Sequence, residues 1–200
     1  MNGTVFPLSE QIKISALAKQ SNVAIHLDGA RLWNAITKTG DTLQKACDPY
    51  DTVSLCFSKG LGAPIGSVLV GPASLIKKAR HFRKIYGGGM RQSGILAAAC
   101  IYALDNHFPK LIEDHKKAAY LAQELVNIGF KLTKPCETSM VWIDGAHLGL
   151  DADKISKALA EKDILIFGGS STEIRLVVHH QISQQALDLT ILTLKTLIVS

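Results

Sequence analysis

The fold is decided by the stretch Phe57-Ser58-Lys59-Gly60-Leu61-Gly62-Ala63-Pro64, which closes an apolar, strand-like run that begins at Thr52. An earlier predicted strand, Val23–Asp28, closes in the same way, with the stretch His26-Leu27-Asp28-Gly29-Ala30-Arg31. Small residues let the backbone turn sharply and let a flat molecule approach it. Each stretch therefore predicts a strand followed by a tight turn, one with a lysine and the other with a carboxylate.

Lys59 and Asp28 each have an ordinary interpretation when taken alone. A lysine beside glycines is often a solvated loop residue, and Asp-Gly is common in turns. A nucleotide-binding loop is excluded, because its glycines precede the lysine and here they follow it. Together, the two residues match the two groups that hold pyridoxal phosphate. The lysine forms a Schiff base and the carboxylate pairs with the protonated ring nitrogen.

Helices and strands alternate around these turns. Helical spacing of apolar residues predicts a helix at Ser9–Lys19, and alternation in the strand at Val23–Asp28 places His26 on the same face as Asp28. We expect His26 to orient that carboxylate. Further along, the pattern predicts a strand at Gly66–Gly71, helices at Ser74–Lys84 and Ser93–Asn106, and a buried, mainly parallel sheet.

Pro109 marks a predicted boundary between two domains, 1–108 and 109–200, because a proline cannot continue the helix before it. The pattern after it predicts a small α/β layer unit. Its predicted elements are helices at Lys110–Ile128, Asp151–Lys162 (capped by Asp151) and Gln184–Leu197, and strands at Phe130–Thr133, Ser139–Ile143, Ile164–Phe167 and Ile174–Val178.

The composition is typical of a well-packed enzyme and excludes a disordered chain: 47% of the 200 residues are hydrophobic and 20% are charged. The net charge of +5 is modest and mostly scattered, so we expect a small anionic ligand and no nucleic-acid partner. The four cysteines are widely spaced, which predicts reduced thiols in the cytoplasm and no metal site. No secretion signal or membrane-spanning run is predicted.

Two arginines are candidates for binding a carboxylate. Arg31 lies three residues after Asp28, and its planar fork suits a carboxylate or a phenolate oxygen; a surface arginine is the alternative. Arg175 interrupts the otherwise apolar predicted strand Ile174–Val178, so it requires an anion. That anion is either a substrate carboxylate or Glu173 on the same strand face.

Other basic residues allow weaker inferences. Lys84 and Arg91 flank the triple glycine at 87–89, which predicts either a mobile cationic loop or a solvated connection between helices. His179 and His180 are adjacent in a predicted strand and so point to opposite faces, which favours structural roles over a shared metal ion.

Three motifs in order carry a resemblance to a known family. They are His26-Leu-Asp-Gly-Ala-Arg31, Ser58-Lys-Gly-Leu-Gly-Ala-Pro64 and Gly87-Gly-Gly-Met-Arg-Gln-Ser-Gly-Ile-Leu-Ala-Ala-Ala99. Together they resemble the low-specificity L-threonine aldolases, within the group of aromatic amino acid beta-eliminating lyases and threonine aldolases. The resemblance implies an aspartate-aminotransferase-like, pyridoxal-phosphate-dependent transferase fold, with a large domain and a small carboxy-terminal α/β domain.

The resemblance also implies roles for single residues. Lys59 matches the lysine that binds the cofactor, Asp28 the partner of its ring nitrogen, and Ser58 and His26 neighbours of the cofactor. Arg31 matches the arginine near the phenolate oxygen or the substrate. The resemblance further assigns Arg175 to the substrate carboxylate, and Lys84 and Arg91 to the active site of a neighbouring subunit in a homotetramer.

The implied reaction is retro-aldol cleavage of L-threonine and L-allo-threonine to glycine and acetaldehyde. Family members carry a preceding segment with a Gly-Thr phosphate turn, a histidine stacked on the cofactor and a serine near the substrate. The chain is thus expected to be amino-terminally truncated, with an incomplete large domain. Two alternatives stay open: another pyridoxal-phosphate-dependent lyase of the same fold, or a noncatalytic paralogue that binds a partner.

Overall fold

The computed structural model describes residues 2–168 and 171–199. The chain forms two compact units. The amino-terminal unit is Phe6–Leu111, and the carboxy-terminal unit is Ile112–Ser200 together with Met1–Val5. The division into a part of a large domain at 1–108 and a small α/β domain at 109–200 stays a prediction.

Five helices and a sheet of three strands are described in the amino-terminal unit. The helices are α1 (Leu8–Gln20), α2 (Leu32–Thr39), α3 (Leu43–Cys47), α4 (Ala73–Ile85) and α5 (Gly94–Asn106), and the strands are β1 (His26–Gly29), β2 (Thr52–Cys56) and β3 (Ser67–Val70).

The sheet of this unit has the order β1-β2-β3 and is mixed. Strand β1 runs parallel to β2, with Asp28 opposite Ser54, whereas β3 runs antiparallel to β2. A parallel pair needs a long crossover, and only the short loop 57–66 joins β2 to β3. The prediction of a mainly parallel sheet therefore holds for one of the two pairings described.

The two faces of this sheet differ sharply in burial. Val53, Leu55 and Phe57 alternate along β2 and its continuation, and each is at least 93% buried against α2 and neighbouring residues. The opposite face carries polar side chains, among them those of His26 and Asp28. Successive side chains of a strand point to opposite faces, so apolar and polar residues alternate along a half-buried strand. The sequence therefore predicts which face is buried and which is polar.

The carboxy-terminal unit packs three helices and an antiparallel sheet of order β4-β5-β6 around one core. Its strand β6 alternates buried Ile174 and Leu176 with exposed Glu173, Arg175 and Val177. The elements are α6 (Leu111–Asn127), β4 (Lys131–Leu132), β5 (Met140–Asp144), α7 (Ala152–Ala160), β6 (Glu173–Val177) and α8 (Gln184–Val199).

One of the predicted strands of this unit is absent. The segment Ile164–Phe167 forms no strand, and its Leu165 and Phe167 side chains are 85% and 83% exposed. The segment begins in the turn that ends α7. In that turn the Ile164 N–H donates a hydrogen bond to the Leu159 carbonyl, and Asp163 has a φ of 58°. An apolar run alone does not distinguish a strand from such a turn.

Helix α2 was missed because it is short and directly follows the Asp28 turn. Its Leu32, Trp33 and Ile36 are buried, and it ends at Gly40, whose φ of 76° suits only glycine well. The predicted cap of α7 is confirmed, since the Asp151 carboxylate accepts a hydrogen bond from the Lys154 N–H at 2.9 Å. No helix in the described part of the chain is long and apolar enough to span a membrane.

Asp114, in the first turn of α6, is a buried carboxylate with a measurable consequence. It is 3% exposed, and burial raises the pKa of its carboxyl from 3.8 to about 6. The nearby Lys117 ammonium lowers this pKa, and the Glu113 carboxylate raises it. A carboxyl whose pKa is higher in the folded chain stabilises the fold below its ordinary pKa. That stabilisation is lost as the pH rises towards 6.

We expect Asp114→Asn to remove this pH dependence. A tenfold change in proton affinity is worth about 1.4 kcal/mol, so ionising Asp114 costs up to about 3 kcal/mol. The free energy of unfolding of Asp114→Asn should exceed that of the original chain by about 1–3 kcal/mol at pH 8, with little gain at pH 4. Urea unfolding followed by circular dichroism at both pH values measures it. The exposed Asp105→Asn is the matched control, and an equal gain at both pH values would contradict the assignment.

Candidate functional site

The Lys59 turn is anchored by three buried residues, and its lysine is exposed. Phe57, Leu61 and Ala63 are buried, whereas Ser58 and Lys59 are exposed. Backbone hydrogen bonds fix the turn, from the Gly62 N–H to the Lys59 carbonyl at 2.8 Å and from the Ala63 N–H to the Phe57 carbonyl at 3.0 Å. The lysine amine is thus presented to solvent by a rigid turn.

Asp28 lies on the polar face of the sheet, at the carboxyl end of β1. Its carboxylate accepts a hydrogen bond from the Ala30 N–H at 3.1 Å. The next residue must be glycine, because a Cβ at Gly29 would lie 2.6 Å from the Ser54 carbonyl oxygen on β2. Strands β1 and β2 are parallel, so Asp28 and the Lys59 turn meet at the same edge of the sheet.

His26 and Ser58 are the other residues predicted at this edge. The His26 ring shares the exposed face with Asp28, and its Nδ1 lies 2.8 Å from the Thr52 hydroxyl oxygen. The ring is therefore fixed by Thr52, and its predicted orienting of Asp28 stays a prediction. Ser58 is exposed beside Lys59, where its hydroxyl is available to an oxygen of a ligand.

Arg31 directly precedes helix α2 as its N-cap residue and is exposed. The helix is tied to the end of β2, because the Trp33 indole N–H donates to the Cys56 carbonyl at 3.1 Å. The start of α2 therefore lies at the carboxyl ends of both strands. This places Arg31 on the same edge as Asp28, as the sequence predicts.

Two residues that support the Lys59 turn were missed by the sequence analysis. The His107 ring nitrogen Nδ1 lies 2.6 Å from the Leu61 carbonyl oxygen. Asn34 is 4% exposed and packs against Gly60. A Cβ added at Gly60 would lie only 3.0 Å from the amide nitrogen of Asn34. Both residues are far from the turn in sequence, so no local signal identified them.

Lys84 and Arg91 are exposed on either side of the triple glycine. Lys84 lies in the last turn of α4. The chain turns after this helix, and the Gly88 N–H donates a hydrogen bond to the Arg83 carbonyl at 2.8 Å. Arg91 precedes α5. Their predicted action on a neighbouring subunit stays a prediction.

Arg175, in the carboxy-terminal unit, lies on the exposed face of β6 opposite Trp142 of β5. Its guanidinium carbon is 5.9 Å from the centre of the Trp142 ring. Its alternative partner, the Glu173 carboxylate, is instead paired with the Lys134 ammonium at 2.5 Å. Among the residues described, no carboxylate forms an ion pair with Arg175.

Arg175 also lines a cleft of about 260 Å³ within the carboxy-terminal unit. The described lining is otherwise mostly aliphatic, including Leu121, Ile166 and Leu187. The Arg175 guanidinium itself lies on the exposed face of β6 beside Trp142, where it can donate hydrogen bonds to a carboxylate. The predicted binding of a substrate carboxylate by Arg175 stays a prediction.

The donor set at the edge of the amino-terminal sheet fits pyridoxal phosphate. It offers a solvent-accessible primary amine for covalent attachment, a carboxylate for the ring nitrogen, and a hydroxyl and a guanidinium for oxygen atoms. The exposed face of the sheet leaves these groups accessible. The residues that would hold the cofactor are thus Lys59, Asp28, Ser58 and Arg31, with His26 beside Asp28.

Comparisons with known proteins agree with this chemistry. Residues 1–147 match the family model described as beta-eliminating lyase. The chain is 46% identical to low-specificity L-threonine aldolase 1 of Arabidopsis thaliana over 86% of this chain and 49% of that protein. It is 39% identical to the low specificity L-threonine aldolase of Escherichia coli strain K12, over 93% of this chain and 54% of that protein. The chain thus spans about half the length of the curated relatives it matches.

Solved structures support the fold. The threonine aldolase of Leishmania major matches 98% of this chain with a TM-score of 0.80 and 24% sequence identity, and the match covers 58% of that structure. This likeness confirms the predicted α/β, aspartate-aminotransferase-like fold.

Proposed function

The chain belongs to the beta-eliminating lyase family, and on that premise we propose that it is a pyridoxal-phosphate-dependent lyase of the threonine aldolase type. Its substrates are L-threonine and L-allo-threonine, which it cleaves to glycine and acetaldehyde. The observation that carries this proposal is that Lys59 and Asp28 lie at the carboxyl ends of two adjacent parallel strands. The relatives at 46% and 39% identity, named low-specificity L-threonine aldolases, support the substrate.

Each residue at the strand ends has a distinct task. Lys59 attaches the cofactor through its amine, and the rigid turn around it fixes the direction of that attachment. Asp28 pairs with the ring nitrogen and keeps the nitrogen protonated. The bound cofactor supplies an electron sink for the Cα–Cβ bond that breaks. Ser58 and Arg31 bind its oxygen atoms, and His26 supports Asp28.

Arg175 is assigned to the substrate carboxylate in this proposal. It lacks a carboxylate partner among the described residues, and its neighbour Glu173 already pairs with Lys134. The planar guanidinium can donate two parallel hydrogen bonds to a carboxylate. That geometry fixes the orientation of an amino acid as well as binding it.

We further propose that the chain forms a homotetramer in the cytoplasm, with Lys84 and Arg91 reaching a neighbouring active site. Helix α5 supports assembly, because Ile95 is 81% exposed and Tyr102 is 60% exposed. The cytoplasm suits a chain whose four cysteines, all within the described part, form no disulfide. Sedimentation equilibrium measures the mass of the assembly, and a monomer would contradict it.

The experiment that tests the function adds pyridoxal phosphate and L-allo-threonine to the purified chain and follows acetaldehyde. We expect acetaldehyde and glycine in equal amounts. Bound cofactor without acetaldehyde would contradict aldolase activity and favour another lyase of this fold. A folded chain that binds no cofactor and releases no aldehyde would favour a noncatalytic, partner-binding role.

A further inference from the structure

On the exposed face of the β4-β5-β6 sheet, two cations lie near the ring of Trp142, and two carboxylates lie close by. The Lys134 ammonium lies 4.2 Å from the centre of the Trp142 ring, and the Arg175 guanidinium carbon lies 5.9 Å from it. The ring itself is oriented by its indole N–H, which donates to the Asn2 carbonyl at 2.7 Å. Both Lys134 and Arg175 thus lie within cation–π distance of Trp142.

Glu173 is the carboxylate nearest to Arg175 in sequence, and it lies two residues before Arg175 on the same side of β6. Side chains at that spacing on a strand are close enough to form an ion pair. An Arg175–Glu173 pair would occupy the guanidinium and compete with any carboxylate ligand. The sequence alone predicts this pair as readily as a bound substrate.

The structure directs Glu173 elsewhere. One of its carboxylate oxygens accepts hydrogen bonds from the Lys134 ammonium at 2.5 Å and from the Thr133 hydroxyl at 2.7 Å. These two hydrogen bonds are the largest causes that lower the pKa of the Glu173 carboxyl. The other acid across this face, Asp144, accepts from the Ala146 N–H at 2.9 Å. Both carboxylates near Arg175 therefore have partners of their own.

We propose that Lys134 is a positioning residue that withholds Glu173 from Arg175 and so keeps the guanidinium available for the carboxylate of a small amino acid. Trp142 places the Lys134 ammonium for this task through its ring face and lies against Arg175 without using any guanidinium N–H. The inference rests on the proposed role of Arg175 in substrate binding. It adds Lys134, Thr133 and Trp142 to the residues that govern substrate affinity.

The test compares Lys134→Met with Lys131→Met. Lys131 lies on the same sheet, opposite Asp144, and its replacement by methionine removes the same charge. The hydrogen bonds to the Glu173 carboxylate come from Lys134 and Thr133 instead. The readout is the Nε–H resonance of Arg175 in a nitrogen-15 spectrum, assigned by its loss in Arg175→Lys. Acetate is the carboxylate probe, so neither cofactor nor turnover is needed.

We expect acetate to shift the Arg175 resonance of the original chain. In Lys134→Met the dissociation constant for acetate should rise about two- to fivefold, the range of an exposed ion pair, while Lys131→Met stays within about 1.5-fold. The double variant Lys134→Met/Glu173→Gln should return to the original value, because it has no competing carboxylate. In an active chain, KM for L-threonine should follow the same order with kcat within twofold.

Three results would overturn the inference: an Arg175 resonance that acetate does not shift, equal effects of Lys134→Met and Lys131→Met, or no recovery in the double variant. The spectra remain informative if the chain releases no acetaldehyde. Failure of the proposed function is thereby separated from failure of this inference. The Lys134 side chain is on the surface, 25% exposed, so these variants should fold.

Discussion

Lys59→Ala is expected to abolish covalent cofactor binding and to lower acetaldehyde release by at least about a thousandfold. The structure presents this amine from a turn fixed by backbone hydrogen bonds and by three buried neighbours. No second lysine lies in that turn, so no other amine can take its place there. The visible absorption band of lysine-bound pyridoxal phosphate should be absent from the variant. Borohydride reduction followed by peptide mass mapping should label the peptide with Lys59 in the original chain only.

The matched control is Lys38→Ala, which removes an exposed lysine from the last turn of α2 in the same unit. It should keep both the absorption band and the labelled peptide. Because Lys59 is exposed, its replacement should change the free energy of unfolding by less than about 0.5 kcal/mol. A band that persists in Lys59→Ala, or a label on another lysine, would show that the attachment point is wrong.

Local sequence signals identified the parts of the site that depend on neighbouring residues. The Lys59 turn and the Asp28 turn are each coded by adjacent small residues, and strand alternation places His26 and Asp28 on one face. A mainly parallel sheet was also predicted, and β1 and β2 do pair in parallel, although the helices α2 and α3 that connect them were not predicted. The candidate edge of the sheet was therefore predictable.

Contacts between residues far apart in sequence were not predictable in the same way. The ring of His107 supports Leu61 across 46 positions, and Lys134 reaches Glu173 across 39. The sequence around Arg175 indicated only that the guanidinium requires an anion. That Glu173 pairs with Lys134 and not with Arg175 depends on where Lys134 lies, just beyond β4 and over the ring of Trp142.

Asp28→Asn is expected to separate cofactor attachment from catalysis. An asparagine is close to the same size but carries no charge, so it cannot keep the ring nitrogen protonated. Lys59 lies on a different strand end and keeps its turn, so the absorption band should remain. We expect kcat for acetaldehyde release to fall by about 10²–10³, the usual cost of removing one charged group that stabilises a transition state.

The local hydrogen bonding of Asp28 can be kept in the Asp28→Asn variant. Asp28 contributes one side-chain hydrogen bond, from the Ala30 N–H, and the amide oxygen of asparagine can accept the same bond. The fold should therefore change little, and Asp48→Asn, at an exposed aspartate after α3, controls for the loss of charge. Steady-state kinetics and the absorption spectrum of the same samples provide both readouts. If Asp28→Asn keeps its kcat within about threefold of the original chain, the carboxylate does not pair with the ring nitrogen, because loss of that pair would cost far more.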